Sequence, residues 1–212
     1  MSSSRKMAIA LMASVATLAV APQASASGLI AKRYVSAMVG QVETGDEHLE
    51  QYDDAFTAYE AKLNVPVTEH VDLGFRYGRE VLEGSHGGHD LEESEDLYLG
   101  ETTYHFRPHD HHYNPFLRVR AGLIQTTVEE GGTTHTEDEA AYSFAAGADL
   151  GMGEHAAVAP EVAYRMVDGE GEWIPSLEAN YWLGESAFLM AKGEYRDETE
   201  DVGYFIGGGW HF

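Results

Sequence analysis

The stretch of sequence that decides the fold is Tyr204-Phe205-Ile206-Gly207-Gly208-Gly209-Trp210-His211-Phe212. In a β-strand, residues two positions apart share a face. One face of this strand therefore carries an apolar, aromatic stripe made of Tyr204, Ile206, Trp210 and Phe212. An edge strand of a secreted β-sandwich could show this pattern. A strand of a closed transmembrane β-barrel fits it better, because such a strand faces lipid and carries aromatic residues at the membrane interface.

The first residues of the chain agree with export from the cytoplasm. The basic pair Arg5-Lys6 precedes an apolar run over 7–20, and small residues at 24–26 form an A-x-A pattern. We therefore predict that residues 1–26 are a cleaved signal peptide and that residues 27–212 form one β-barrel domain. The chain contains no cysteine, which excludes a disulfide framework and a cysteine-based zinc site.

Alternation of apolar with small or charged residues continues through the rest of the chain. Val71, Leu73, Phe75 and Tyr77, for example, alternate with polar residues and glycines, which is the period of a strand. The pattern predicts an all-β, closed antiparallel transmembrane barrel. Ten strands are expected, at 29–42, 55–66, 71–82, 96–107, 116–128, 140–151, 156–167, 173–183, 187–196 and 202–212. Eight strands are the alternative, if two weaker segments (29–42 or 173–183) merge or stay irregular.

The connections between these strands alternate between two kinds. Acidic, glycine-rich segments are expected to be long extracellular loops at 43–54, 83–95, 129–139, 168–172 and 197–201. Mostly tight turns are expected at 67–70, 108–115, 152–155 and 184–186, on the periplasmic side together with both termini. Clustered carboxylates suit Ca²⁺ or Mg²⁺, so divalent cations are possible partners of the loops, although no spacing resembles a twelve-residue calcium loop.

The overall charge excludes one class of partner. The formal net charge is −23, and every basic residue after the predicted signal peptide falls inside a predicted strand. Nucleic-acid binding is not expected, because a phosphate backbone requires a basic stripe.

Charged residues of both signs alternate with the apolar ones and are expected to face the barrel lumen. These candidate lumen residues are Asp72, Arg76, Glu101, Arg118, Arg120, Glu161, Arg165, Glu178, Lys192, Glu194 and Arg196, with Arg107 and Asp149 further candidates. A barrel of this size can be filled by its own side chains, and an unpaired buried charge is costly. The residues therefore predict either an ion-paired plug or a narrow pore whose selectivity they set.

The chain as a whole resembles the small bacterial outer-membrane β-barrel proteins of the OmpX, OmpW and OmpA-membrane-domain group. The resemblance implies location in the outer membrane, contact with outer-membrane lipid and lipopolysaccharide, and a monomeric state. It also implies that the barrel-assembly machinery recognises the last strand through Tyr204, Ile206, Trp210 and Phe212. The expected role is non-enzymatic, without a cofactor: surface structure, adhesion or passage of small solutes.

Some barrels that the chain resembles are proteases or lipid-modifying enzymes. The candidate pairs are Asp53-Asp54, His89-Asp90, Asp110 with His112, and Ser85-His86. None of these pairs has a neighbouring residue that would orient a catalytic side chain, and no catalytic residue is assigned. Two histidine-rich segments, the turn at 109–112 and the loop at 86–90, leave metal binding undecided, because no fixed four-ligand set is visible.

Overall fold

The computed structural model describes residues 33–45, 55–86, 89–107, 112–130 and 132–212. The predicted signal peptide at 1–26 lies outside the described residues and stays a prediction. Within the described ranges, no helix is long and apolar enough to cross a membrane.

In the described part of the chain, ten antiparallel strands form one closed barrel, as the alternation predicts, and each strand pairs with its neighbours in the sequence. The strands are β1 (Tyr34–Glu43), β2 (Ala55–Pro66), β3 (Val71–His86), β4 (His89–His105), β5 (Tyr113–Glu130), β6 (Thr133–Gly151), β7 (Ala156–Val167), β8 (Glu170–Trp182), β9 (Ala187–Tyr195) and β10 (Val202–His211).

The barrel closes where β1 meets β10. These strands pair without interruption from Tyr34 opposite His211 to Glu43 opposite Val202. Beyond the pair of Tyr34 and His211, the Phe212 amide donates a hydrogen bond to the Arg33 carbonyl oxygen at 3.0 Å. The connections after β2, β4, β6 and β8 lie at this end of the barrel, which we call the terminal rim. The opposite end is the far rim.

The outward side chains explain why this sheet can face lipid. Apolar residues stand exposed on the outer wall all around the barrel, among them Val39, Leu73, Val119, Val162 and Ile206. Exposed aromatic residues concentrate near the terminal rim at Tyr104, Phe106, Tyr113, Tyr181, Trp210 and Phe212, and toward the far rim at Tyr59, Tyr98, Tyr142 and Trp173. An apolar band between two aromatic girdles is the outer surface of a transmembrane barrel.

Two of the segments expected to be long loops are instead mostly strand. Residues 83–95 and 129–139 belong to the β3–β4 and β5–β6 hairpins, which pair almost to their tips. Consecutive acidic residues such as Glu137-Asp138-Glu139 occupy a strand here, because residues 133–138 are all exposed and neither face has to be buried. The expected loop 168–172 is a two-residue turn, because Asp168 and Gly169 have φ of 46° and 89°, as a tight hairpin requires. Most of the segment 43–54 lies outside the described residues.

Candidate functional site

The eleven candidate lumen residues all lie inside the barrel. Ten of them line one interior cavity, and Asp72 is buried beside it. Arg107, a further candidate, is wrongly assigned to the lumen: it is exposed at the end of β4, and its guanidinium lies 5.3 Å from the centre of the Tyr113 ring. The strand has ended at His105, so alternation no longer governs Arg107.

The centre of the lumen is organised around Glu60 of β2. One carboxylate oxygen of Glu60 accepts from Arg76 Nη2 at 2.5 Å and from Lys192 Nζ at 2.8 Å. Lys62 Nζ lies 3.0 Å from the other oxygen and donates to Glu178 at 2.8 Å. Because β1 and β10 separate β2 from β9 and β8, the Glu60–Lys192 and Lys62–Glu178 bonds cross the lumen, whereas Arg76 reaches Glu60 from the neighbouring strand β3.

A second network ties β4, β5 and β7 together. Arg120 donates to Glu101 at 2.8 Å and to Glu161 at 2.7 Å, and Arg118 donates to the other oxygen of Glu161 at 2.6 Å. Between β5 and β7, the inner face of β6 carries small residues: Ala141, Ser143, Ala145 and Gly147. Their small size leaves space for two arginines to reach across β6.

Ion pairs also fill the interior near the far rim. Arg196 binds Glu80 through both terminal nitrogens and Glu194 at 3.2 Å, while Arg165 binds Glu172 at 2.5 Å. Asp201, in the turn between β9 and β10, lies 3.8 Å from Arg196. Burial raises the pKa of the Asp201 carboxyl, and the positive charge of Arg196 opposes that shift.

The interior near the terminal rim is aromatic and more weakly charged. The Phe188 ring contacts the rings of Tyr34 and His211, with centroids 5.6 Å and 4.9 Å away. On the other side of this rim, His105 Nε2 lies 3.3 Å from Asp72 and His105 Nδ1 lies 3.7 Å from Asp149. Aromatic rings packed edge-to-face and at a tilt therefore occupy the lumen at this end.

Sequence reasoning missed three of the residues that hold the network together: Glu60, Lys62 and Glu80. The signal was present in β2, where Tyr59, Ala61 and Leu63 alternate with Glu60 and Lys62. The outward position of Tyr59 and Leu63, both exposed, assigns the two charged residues to the lumen.

The predicted assembly residues lie on the outer wall of β10. Ile206, Trp210 and Phe212 are exposed and Tyr204 is half-buried, all on the face that the alternation predicts. Of the enzyme and metal candidates, Asp53-Asp54 and residues 108–111 lie outside the described residues. The described part of the chain contains no cluster of three or more histidine, aspartate or glutamate side chains able to hold a metal ion.

The interior leaves little free space. The cavity enclosed by these side chains measures about 150 Å³. This volume accommodates a few water molecules or one small molecule about the size of benzene. Such an arrangement can stabilise the barrel and block passage, because charges that bridge the lumen would have to separate before a solute could cross.

Comparison with known families identifies the family to which this barrel belongs. The model of the outer membrane protein beta-barrel domain matches residues 8–183, which is most of the chain. The chain belongs to that family. The protein is therefore located in the outer membrane. No curated protein sequence matches the chain.

Solved structures resemble the chain in fold at low identity. The translocator domain of autotransporter NalP from Neisseria meningitidis has 12% identity and a TM-score of 0.49, over 99% of this chain and 98% of that one. Ail, the attachment invasion locus protein of Yersinia pestis, has 8% identity and a TM-score of 0.45, over 85% and 99%. The N-terminal barrel domain of Pseudomonas aeruginosa OprF has 14% identity and a TM-score of 0.40, over 85% and 98%.

Proposed function

We propose that this outer-membrane barrel is closed and non-enzymatic, and that it holds an acidic β-sheet at the cell surface in a structural or adhesive role. The observation that carries this proposal is the interior, where ion pairs between distant strands cross the lumen and leave about 150 Å³ free. A protein that admits solutes would need a continuous water-filled path.

The second part of the proposal, an acidic sheet at the cell surface, rests on the unequal lengths of the strands. β3, β4, β5 and β6 have 16, 17, 18 and 19 residues, whereas β1 has 10, β9 has 9 and β10 has 10. A membrane crossing needs about ten residues. The four long strands therefore extend past the far rim as a continuous sheet, which we call the protruding sheet. Barrels of this family keep short turns in the periplasm, so the protruding sheet would lie outside the cell.

The side chains on the outer wall indicate which molecules the barrel is expected to contact. We expect the apolar band to contact outer-membrane lipid and lipopolysaccharide, and the aromatic stripe of β10 to be recognised by the barrel-assembly machinery. The expected state is a monomer, because a closed sheet leaves no strand edge within the membrane band. Divalent cations could neutralise the acidic residues of the protruding sheet.

Single-channel recording in planar bilayers tests the closed barrel. The purified, folded protein should give no discrete openings. A matched variant, Glu60→Ala with Lys192→Ala, removes one cross-lumen pair and should raise conductance, which establishes that inserted barrels are detectable. Discrete openings of the unaltered protein would contradict the closed barrel and support a narrow pore, the alternative that the residual cavity favours.

A further inference from the structure

A groove crosses the outer wall of the barrel beside the seam between β1 and β10. It spans β8, β9, β10 and β1 and has a volume of about 700 Å³. Lys192 and Glu194 line it, although both of their side chains lie in the lumen, so the backbone of β9 forms part of the floor. A molecule in this groove, which we call the seam groove, would therefore lie close to bare main chain.

Small outward-facing residues create the seam groove. Ala191 and Gly193 of β9 line it, and Ala191 stands opposite Ala179 of β8. Two residues further toward the terminal rim, the large side chains of Leu189 and Tyr181 stand opposite each other, and both are exposed. Because residues two apart share a face of a strand, these two side chains end the groove on that side. The groove therefore begins at the middle of the wall and runs toward the far rim.

Apolar side chains form the sides of the seam groove. Leu177 stands on the β8 side, and Ile206 and Val39 stand on the side of the seam. Ile206 and Val39 are directly opposite each other in the pairing of β1 with β10, and both are exposed. The wall at this depth belongs to the apolar band, which faces lipid because the protein is located in the outer membrane. The surroundings of the groove therefore supply a hydrocarbon chain as its occupant.

The end of the seam groove at the far rim is polar and acidic. Gln41 and Glu43 of β1 line it there, both exposed, and Tyr204 stands opposite Gln41. Lys192 is the only basic residue in the four strands that form the groove, and its side chain lies in the lumen. An anionic headgroup would find no counter-charge here. An ammonium group would meet the carboxylate of Glu43, which is the favourable arrangement of charges.

We propose that the seam groove binds one acyl chain of a membrane phospholipid whose headgroup carries an ammonium group. The chain would lie over Ala179, Ala191 and Gly193, and the ammonium group would lie beside Glu43. Lipid tails are as apolar as the groove, so transfer from the surrounding lipid does not by itself favour binding. The close approach that small residues permit favours it, because more atoms come into van der Waals contact.

This inference goes beyond the proposed function. It requires the location in the outer membrane, and it requires neither the closed interior nor the protruding sheet.

Native mass spectrometry of the folded barrel in detergent micelles tests the proposal. The probes are phosphatidylethanolamine and phosphatidylglycerol with identical acyl chains, added separately at equal concentrations. Phosphatidylethanolamine should be retained as one adduct per barrel. Phosphatidylglycerol should bind about fivefold more weakly, because it lacks the ammonium group that pairs with an exposed carboxylate.

Matched substitutions on the outer wall test where the acyl chain lies. Ala191→Phe fills the floor of the seam groove and should weaken retention of phosphatidylethanolamine about tenfold. The control is Ala121→Phe, which makes the same change at an exposed alanine on the outer wall of β5 and should leave retention unchanged. Slower migration on gels after boiling than before it verifies that each variant is folded. Ala179→Phe fills the same floor from β8 and replaces Ala191→Phe if that variant does not fold.

A second pair of variants tests the headgroup. Glu43→Gln removes the carboxylate at the polar end of the seam groove and should abolish most of the preference for phosphatidylethanolamine. Glu170→Gln removes an exposed carboxylate elsewhere at the far rim and should leave that preference intact.

Three results would overturn the proposal. They are equal loss of the adduct in the Ala191→Phe and Ala121→Phe variants, equal retention of the two lipids by the unaltered barrel, and a dimer that Ala191→Phe disrupts, which would assign the groove to a second copy of the chain. Failure here is distinct from failure of the closed barrel, because lipid adducts are counted without reference to conductance.

Discussion

Glu60 is the lumen residue whose substitution should destabilise the barrel most. Its carboxylate is surrounded by Lys62, Arg76 and Lys192, and its side chain is 2% exposed. Glu60→Gln leaves three cations without their common counter-charge, so the free energy of unfolding should fall by about 3 kcal/mol. Urea unfolding in micelles, followed by tryptophan fluorescence, measures the change.

The control for this prediction is Glu137→Gln on β6, where the side chain is 66% exposed. This substitution should change the free energy of unfolding by no more than about 0.5 kcal/mol. Equal effects of the two substitutions would contradict the central role of Glu60.

Gly147 is required by a close approach inside the barrel. A Cβ at this position would lie 2.6 Å from Phe116 Cζ and 2.6 Å from the Pro160 carbonyl oxygen, and Phe116 is fully buried. Gly147→Ala should therefore destabilise the barrel by about 1–3 kcal/mol through overpacking. Gly193→Ala is the control, since the nearest atom to a Cβ there is 4.0 Å away. Thermal unfolding of the two variants should differ clearly, and similar midpoints would refute the packing argument.

At the scale of elements, β10 closes the barrel against β1 and carries the predicted assembly signal. One substitution can separate these two roles. The Phe212 amide donates a hydrogen bond to Arg33, the residue before β1, while the Phe212 ring is 65% exposed on the outer wall. Phe212→Ser should therefore reduce the amount of assembled protein in outer membranes and leave the unfolding of already folded protein nearly unchanged. Quantitative immunoblotting of membrane fractions measures the first effect.

Phe106→Ser provides the comparison, because Phe106 is a similarly exposed aromatic residue near the same rim but lies outside the last strand. Normal membrane levels of the Phe212 variant, or an equal loss in the Phe106 variant, would argue against an assembly signal in β10.

For the whole molecule, the closed sheet predicts tolerance of circular permutation. Arg33 and Phe212 are joined by a 3.0 Å hydrogen bond, and the turn at Asp168-Gly169 lies at the opposite rim. Joining residues 33 and 212 by a short glycine linker and opening the chain after Asp168 keeps every strand pair. The permuted barrel should refold in micelles and migrate faster on gels before boiling than after it, as the parent should. Opening the chain within β9 instead, after Met190, should abolish that shift, because it divides a paired strand.

Much of the fold is local in origin and could be read from the sequence. Alternation around Val71–Tyr77 and Tyr204–Phe212 assigns strands and their two faces, because side chains of a strand alternate regardless of its partners. The same reasoning locates the ten strands and the inward charges such as Arg120 and Lys192. It fails at Arg107, where the strand has ended, and in residues 83–95 and 129–139, where acidic composition suggested loops.

The sequence by itself determined the strand period, the outward apolar stripe and the charged inner face, and it favoured ten crossings over eight. Only the tertiary structure decided that Lys192 bonds to Glu60, 132 residues away, and that Arg120 reaches Glu161 across β6. The physical reason is that partner choice depends on barrel radius, strand stagger and the small residues between the partners, none of which is local. The protruding sheet likewise emerges only when hairpin pairing continues past the membrane, because its strands are stabilised by one another.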